Sequence, residues 1–316
     1  MSAPAAHPVE PSAGECGIAS WEPADLAALL LPAWDEFADI AGSVDLDAPS
    51  RVRGWTARDV CVHLGSWPGA RTLERMRAEA EADDLDLDDP RAGTFDLTSH
   101  NEAVIDARAA APRAEVVAAL RESREAVAAF LSSDEVRRLG LRRVRSVLGP
   151  LPLTTLVAAG GYELAVHALD LQPAGAPAPS PALLSAGLAA LVDTTGALAA
   201  RCELSAGAAC LTPEGGWAFA STPSSWSTLE LPAVPGPWPT VLGDAADLLD
   251  ASAGRRAVPP MLARRDLRVH HVAGLLALAP IVEAVPGLPG GAALRVAVRN
   301  LRTVSRFMRR IPGVPG

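Results

Sequence analysis

The feature that most constrains this chain is an apolar segment, Gly161 to Asp170, in which a glutamate and a histidine stand four residues apart. The segment is rich in helix formers, and at about 3.6 residues per turn Glu163 and His167 lie one above the other on one helical face. Two such side chains can bind one metal ion together. An apolar helix with one Glu and one His also commonly holds them as a hydrogen-bonded pair. The motif alone leaves both interpretations open.

A second histidine, His63, follows a helix start in the sequence. Thr56 can cap this helix. The apolar residues after the cap recur at helical spacing, at Val60, Leu64 and Trp67. A lone histidine in such a helix is more often a core residue than a metal ligand. Together with the Glu and His of the later segment, however, it provides a third donor of the type that metals prefer.

Three motifs follow one another in the chain. They are Trp55-Thr56-x-x-Asp59-Val60-x-x-His63-Leu64, an asparagine early in a later helix at Asn101, and Glu163-x-x-x-His167-x-x-Asp170-Leu171. Their order and spacing resemble the mycothiol-dependent maleylpyruvate isomerase family, and the resemblance covers about residues 20–172. It implies a DinB-like, metal-binding four-helix bundle that uses mycothiol as its thiol cosubstrate.

The resemblance also implies roles for individual residues. His63, Glu163 and His167 correspond to three protein ligands of a divalent metal, usually zinc in this family, and Glu163 is implied to be catalytic as well. Two histidines and one carboxylate leave the fourth position of a tetrahedron open, which is the arrangement of a catalytic zinc site. A thiol bound there is held as the thiolate, which is the nucleophile.

The family's reaction implies a thiolate that adds to an activated double bond and leaves after rotation about the resulting single bond. The sequence is therefore interpreted as a metal- and thiol-dependent isomerase or, if the thiol is retained, an S-transferase. Its substrate is expected to be a small electrophile that can bear a carboxylate, with maleylpyruvate as one option. The alternative is a non-catalytic protein that binds a metal or a small ligand.

Two carboxylates are candidates for supporting the metal ligands. Asp59 lies one turn before His63. It either accepts the second ring N–H of that histidine or is a first-turn charge stabilised by the helix dipole. Asp170 either supports His167 in the same way or is a surface residue near the helix end.

The resemblance implies supporting roles for Trp55 and Asn101. A carboxylate-bearing substrate would need a cation, and the C-terminal arginines offer several candidates with no means of choosing, chiefly Arg255 and Arg268. The adjacent histidines of this region, at 270 and 271, would point to opposite faces of a strand and so cannot chelate one ion.

Helical periodicity predicts four helices between residues 20 and 172. They are Glu22 to Ala41, Thr56 to Ala82 with a bend near Pro68, Thr98 to Leu131 with an interruption at Pro112, and Leu153 to Leu171. Four consecutive helices fit an up-down bundle whose core can hold a metal. Residues 1–19, rich in Ala, Pro and Ser, are predicted to be a disordered leader. Residues 83–96 are predicted to be a solvated acidic loop, since a calcium-binding loop needs a central glycine and a closing glutamate at fixed positions and neither stands there.

A Pro/Ala/Gly linker at residues 173–181 predicts a domain boundary that few core contacts cross. Residues 182–287 then resemble the small sterol-carrier-like α+β domain that accompanies the bundle in the family. The predicted helices span residues 181–201, 244–251 and 273–285, and the predicted strands span 203–211, 217–221, 240–242 and 266–271. The expected fold class is thus a DinB-like four-helix bundle followed by a sterol-carrier-like α+β domain.

The last segment, residues 288–316, is an Arg-rich tail in which arginines alternate with apolar side chains. If helical, it could bind an anionic membrane surface or an acidic partner. The favoured interpretation is a helix that packs on the acidic body of its own chain, because the rest of the protein carries the compensating negative charge.

The composition narrows the classes of partner and compartment. All 28 basic residues are arginines, and with 37 acidic residues the net charge is −9, which argues against nucleic acid. The N-terminus lacks a signal-peptide pattern, and the apolar runs are broken by Gly, Pro or charge before they reach the length of a membrane span. We therefore expect a cytoplasmic protein whose four cysteines are free thiols.

Overall fold

The computed structural model describes residues 10–82 and 97–284, except 235 and 237. Its N-terminal part is helical, as predicted. The helices are α1 (Pro23–Ser43), α2 (Ala57–Leu64), α3 (Thr72–Glu81), α4 (Leu97–Arg108), α5 (Arg113–Ser132), α6 (Glu135–Leu139) and α7 (Leu153–Asp170). A two-stranded ribbon, β1 (Arg143–Val144) with β2 (Leu151–Pro152), leads into α7. Helix α1 packs against α5 and α7, and its Phe37 is fully buried there.

The predicted helix from Thr56 to Ala82 was wrong, since the chain forms two helices, α2 and α3, instead of one bent helix. The chain leaves the helix at Gly65, where a Cβ atom would lie 2.9 Å from Nε1 of Trp67. That indole is buried and donates to the Val62 carbonyl oxygen at 2.8 Å. Gly69 then takes a positive φ of 80°. A tryptophan folded back on the helix end therefore breaks the helix that Pro68 was expected only to bend.

The interruption expected at Pro112 is present, because α4 ends at Arg108 and α5 begins directly after this proline. Helices α1 and α7 match their predicted positions to within two residues. The short helix α6 and the β1–β2 ribbon were not predicted. They lie between α5 and α7, where the sequence analysis predicted neither a helix nor a strand.

The C-terminal part is an α+β domain, so the predicted fold class is confirmed. Its helices are α8 (Pro181–Arg201), α9 (Ala245–Ser252), α10 (Val258–Arg264), α11 (Val272–Leu275) and α12 (Ala279–Ala284). Its strands are β3 (Ala206–Thr212), β4 (Gly215–Ser221), β5 (Trp226–Leu231), β6 (Thr240–Gly243) and β7 (Leu267–His270). They form one sheet in the order β5-β4-β3-β6-β7, in which β3 and β6 are parallel and the other neighbours antiparallel. Strand β5 and helix α10 were missed by the sequence analysis.

Helix α8 joins the two parts of the molecule. Ser180 caps it by accepting a hydrogen bond from the Leu183 amide. Helix α8 packs against α7 and also against β4 and β5, and the larger of two hydrophobic clusters among the described residues extends from Ile18 to Ile281. The expectation that few core contacts cross the linker was therefore wrong. Among the described residues, α8 is the only helix long and apolar enough to cross a membrane. Its apolar side chains serve the packing inside the molecule, since 67% of its apolar stretch is buried.

Residues 10–19 are not a disordered leader, so that part of the prediction was wrong. Ile18 is completely buried, and its amide donates to the Asp193 carboxylate on α8 at 2.8 Å. Cys16 pairs with Trp226, the first residue of β5, in an isolated parallel bridge. The buried side chain of Ile18 and the buried acceptor Asp193 therefore hold this segment in place, although its composition is typical of a loop. Residues 1–9, the predicted acidic loop 83–96 and the predicted Arg-rich tail 288–316 lie outside the described residues.

Candidate metal centre

Three side chains from two helices form the candidate site. Helix α2 begins with a capping box, in which Thr56 and Asp59 each accept a hydrogen bond from the backbone amide of the other. This start places His63 in the last turn of α2. Helix α7 packs against α2 and carries Glu163 and His167 one turn apart on the facing side. The fold therefore brings together residues that are a hundred positions apart in the sequence.

The ligand atoms of this cluster converge on one point. Nε2 of His63 is 3.7 Å from Oε2 of Glu163, and Nε2 of His167 is 3.5 Å from the same oxygen. One potential ligand atom from each residue lies within 4.8 Å of those from the other two. These separations exceed ordinary hydrogen-bond lengths and approach the edge of a zinc coordination tetrahedron, about 3.3 Å for metal–ligand bonds near 2 Å. The donor set and its spacing fit a small divalent metal.

The two histidines are enclosed, whereas the glutamate reaches solvent. The exposed fraction of the side chain is 14% for His63, 8% for His167 and 47% for Glu163. The indole of Trp55 covers both imidazoles, with ring centroids 5.5 Å from His63 and 6.4 Å from His167. Glu163 is therefore the member of the cluster that a small molecule can reach from solvent, and Trp55 packs beside the two imidazoles.

Behind His167 lies a buried carboxylate, Asp170, whose Oδ2 is 3.0 Å from the Nδ1 atom of the histidine. Because Nδ1 faces a carboxylate acceptor, a neutral imidazole carries its proton there and leaves the lone pair of Nε2 pointing at Glu163. Of the two roles considered for Asp170, the structure shows the contact with His167, since its side chain is fully buried and not at the surface.

The charges of the cluster favour a cation between Glu163 and His167. Burial lowers the pKa of His167, but Asp170 and Glu163 outweigh it and raise the pKa to about 9. Burial raises the pKa of Glu163, but the two neighbouring histidines hold it well below its usual range. The pKa of Asp170 is likewise lowered, because His167 and Arg255 outweigh its burial. The positive charge that the carboxylates attract can be a proton on His167 or a divalent metal at the same place.

Other candidate residues lie elsewhere or have other partners. Asp59 serves the capping box rather than the ring of His63, whose Nδ1 atom is buried with no hydrogen-bond partner among the described residues. Asn101 is half-buried in α4, which packs against α2. Arg268 is exposed on β7, an edge strand of the sheet.

Arg255 is not a free clamp for a substrate carboxylate. Its guanidinium makes two hydrogen bonds to Asp170, from Nε to Oδ1 at 2.9 Å and from Nη2 to Oδ2 at 2.8 Å. The sequence analysis missed this pairing, because Arg255 was one of several arginines in a distant loop and no local pattern links it to α7.

A separate cavity of about 390 Å³ lies in the C-terminal domain. It is bounded by the N-terminal segment, the ends of β3 and β4, and the residues around Trp238 and Gly274. None of the three clustered side chains lines it. The cavity and the candidate metal centre are therefore different features of the molecule.

Comparison with known proteins supports the motif analysis. Residues 30–172 match the family model of the mycothiol maleylpyruvate isomerase N-terminal domain, which confirms the resemblance seen in the sequence. The matched region includes α2 and α7 and all three clustered residues. No curated protein matches the chain.

Two solved structures of the mycothiol-dependent maleylpyruvate isomerase are similar to this chain at 19% sequence identity. One is a mutant of that enzyme in which a histidine is replaced by alanine. Its alignment with this chain spans 76% of this chain and 92% of the mutant's chain, with a TM-score of 0.45. The alignment with the other structure spans 77% of this chain and 93% of that enzyme's chain, with a TM-score of 0.43.

Proposed function

We propose that this protein is a metal- and thiol-dependent enzyme, similar in activity to maleylpyruvate isomerase, with mycothiol as its thiol cosubstrate. The observation that carries the proposal is the convergence of one ligand atom each from His63, Glu163 and His167 within 4.8 Å. The match of residues 30–172 to the mycothiol maleylpyruvate isomerase N-terminal domain supports the choice of thiol and reaction class. The metal we propose is zinc, because two imidazoles and a carboxylate with a free fourth position suit it.

The protein's own residues prepare the site for an anionic thiol. Two neutral imidazoles and one carboxylate contribute a single negative charge, so a bound divalent ion leaves the centre with a net charge of about +1. When bound, zinc lowers the pKa of a coordinated thiol so that it is held as the thiolate. Trp55 shields the imidazoles, and the half-exposed carboxylate of Glu163 marks the side on which thiol and substrate enter.

The reaction we propose is the addition of the thiolate to an electrophilic double bond of a small substrate. Rotation about the new single bond followed by loss of the thiol gives isomerisation, whereas retention of the thiol gives S-transfer. A carboxylate on the substrate would need a cation that Arg255 does not offer, since Asp170 occupies its guanidinium. Arg268 stays a candidate for that role. The four free cysteines suit a reducing compartment, and we place the enzyme in the cytoplasm.

The proposal is tested by the dependence of turnover on metal and thiol. Purified protein is stripped with a chelator, reloaded with zinc, and assayed on maleylpyruvate with and without mycothiol. We expect turnover only when both are present. Glu163→Gln keeps the shape of the side chain but removes its charge, and we expect it to lower kcat by roughly a hundredfold or more. Glu125→Gln, which alters an exposed glutamate of α5, is the matched control and should leave kcat unchanged.

The outcomes separate the two reactions and the proposal as a whole. A trans product with the thiol regenerated identifies an isomerase, and a stable thiol adduct identifies an S-transferase. Turnover that is equally fast without thiol, or equally fast in the stripped protein, would contradict the proposal.

A further inference from the structure

The contact between Asp170 and Arg255 joins the candidate metal centre to the C-terminal domain. Asp170 is the last residue of α7, and Arg255 follows α9 by three positions. The carboxylate of Asp170 is fully buried and receives two hydrogen bonds from the guanidinium and one contact from Nδ1 of His167. Bidentate arginine–carboxylate pairs fix direction as well as charge. Arg255 therefore determines where the Asp170 oxygens lie relative to His167.

Arg255 is itself held in place by a closed ring of interactions. Its backbone amide donates to the carbonyl oxygen of Asp250 at 2.8 Å, just after Gly254, which takes a positive φ of 68°. The carboxylate of Asp250 accepts a hydrogen bond from Arg51 at 2.7 Å, and the amide of Arg51 donates to the carbonyl oxygen of Asp170 at 2.9 Å. Three separate segments thus position one guanidinium. A guanidinium that is itself held rigidly can fix the orientation of the Asp170 carboxylate.

The carboxylate of Asp170 is a fully buried charge. Without Arg255, the Asp170 carboxylate would be fully buried with only His167 beside it, and a buried charge that loses its partner is costly. The carboxylate would then be free to turn away from Nδ1, and the imidazole of His167 would lose the group that holds its Nε2 atom towards Glu163. With Arg255 present, both oxygens of Asp170 are held in place, and the Nδ1 contact directs Nε2 of His167 at the cluster.

We propose that Arg255 is a positioning residue through which the C-terminal domain sets the affinity of the His63–Glu163–His167 site for a divalent metal. The inference rests on the metal centre of the proposed function. It assigns Arg255 a task that acts through Asp170 and not through the substrate. Groups that orient a metal ligand from behind typically change metal affinity about 10- to 100-fold when they are removed.

The experiment measures zinc affinity of the full chain by competition with a chromophoric chelator. Arg255→Gln should weaken zinc binding by about 10- to 100-fold. Arg256→Gln is the matched control, because Arg256 is the next residue, is similarly exposed, and pairs with Asp247 and Asp266 instead of Asp170. We expect the control to bind zinc as tightly as the wild type to within about twofold.

A double-mutant cycle distinguishes positioning from a general loss of structure. If Arg255 acts through Asp170, Asp170→Asn alone should weaken zinc binding by a similar factor, and adding Arg255→Gln to it should have almost no further effect. The double variant also removes both buried charges, so it is measurable even where Arg255→Gln alone folds poorly. Cobalt loaded into each variant provides a second readout, since the visible bands of a reoriented His167 should shift in Arg255→Gln but not in Arg256→Gln.

The results divide clearly. Wild-type protein that binds no zinc would overturn the proposed function itself. Wild-type protein that binds zinc, together with an Arg255→Gln variant that binds it as tightly as Arg256→Gln does, would overturn only the role of Arg255. Effects of the two substitutions that multiply in the double variant would likewise overturn it, because they would show that Arg255 does not act through Asp170.

Discussion

Two buried aspartates on neighbouring helices differ in the partners of their carboxylates and therefore in their roles. Asp170 ends α7 and Asp193 lies within α8, the two helices pack together, and both carboxylates are fully buried. The partners of Asp170 carry or can carry positive charge: Arg255 and His167. The partners of Asp193 are neutral donors that all meet its Oδ1 atom: the amide of Ile18, Nε1 of Trp226 and the hydroxyl of Thr228.

The partners determine the protonation of each acid. Cations beside Asp170 outweigh its burial and lower its pKa. At Asp193 burial dominates over the three hydrogen bonds and raises the pKa to about 6. Its second oxygen, Oδ2, is buried without a hydrogen-bond partner among the described residues. Asp170 is thus a stable anion that can orient a metal ligand, whereas Asp193 is an acceptor that anchors the N-terminal segment. Burial alone does not identify a functional carboxylate; the charge of its neighbours does.

The largest effect that tests this contrast is expected at Gly17. Its φ is +52°, and a Cβ atom there would lie 2.1 Å from both Oδ1 of Asp193 and Nε1 of Trp226. We expect Gly17→Ala to lower the free energy of unfolding by about 3 kcal/mol or more, through backbone strain and overpacking of the anchor. Urea unfolding measures the change.

Gly14→Ala is the matched control for that substitution. Gly14 also has a positive φ, of 79°, but a Cβ atom there would meet nothing within 4 Å. Gly14→Ala should therefore lower the free energy of unfolding only by the cost of the left-handed conformation, about 1–2 kcal/mol. Equal stability of the two variants would show that Asp193 is not tightly packed by this segment, and the contrast between the two aspartates would fail.

A smaller effect is expected from the titration of Asp193. Its pKa is about 6 in the folded protein against 3.8 for a free side chain. Because the pKa of Asp193 is higher in the folded than in the unfolded protein, the protonated side chain stabilises the fold fully below about pH 4. This stabilisation is lost as the pH rises through 6. The wild type should therefore lose up to about 3 kcal/mol relative to Asp193→Asn between pH 4 and 7.

Unfolding of both proteins across this pH range isolates the contribution of Asp193, because all other groups titrate alike in the two. Zinc affinity serves as the control and should stay within about twofold of the wild type in Asp193→Asn, since this residue does not touch the cluster. A stability difference that is constant with pH would indicate that Asp193 is ionised throughout, and would remove the distinction from Asp170.

The sequence predicted the parts of the site that depend on local pattern. The pairing of Glu163 with His167 follows from helical spacing, and Thr56 was predicted to cap the helix that carries His63. The position of His63 in the last turn of α2 was not predicted, because that helix was expected to continue to Ala82. That α2 and α7 meet was inferred from the family resemblance, because helix order alone does not say which ends of a bundle are neighbours. The helical first half and the mixed second half were readable from the change in hydrophobic period.

The rest depends on contacts between distant segments, which no local pattern encodes. Ile18 meets Asp193 across 175 positions, and this contact orders a segment whose composition predicted disorder. Arg255 meets Asp170 across 85 positions, so the sequence offered it only as one cation among several. Helix α8 was expected to belong to the second domain alone, yet it packs against α7 as well as against β4 and β5.

The central claim is that His63, Glu163 and His167 bind one divalent metal. The most direct measurement is zinc bound per chain, with its affinity, for the wild type, His63→Ala, His167→Ala and a control, His270→Ala, in which an exposed histidine of β7 is removed. We predict about one zinc per chain in the wild type and the control, and an affinity lower by about a hundredfold or more in each of the other two, because each lacks one of three protein ligands. Unchanged zinc binding in both His63→Ala and His167→Ala would contradict the account.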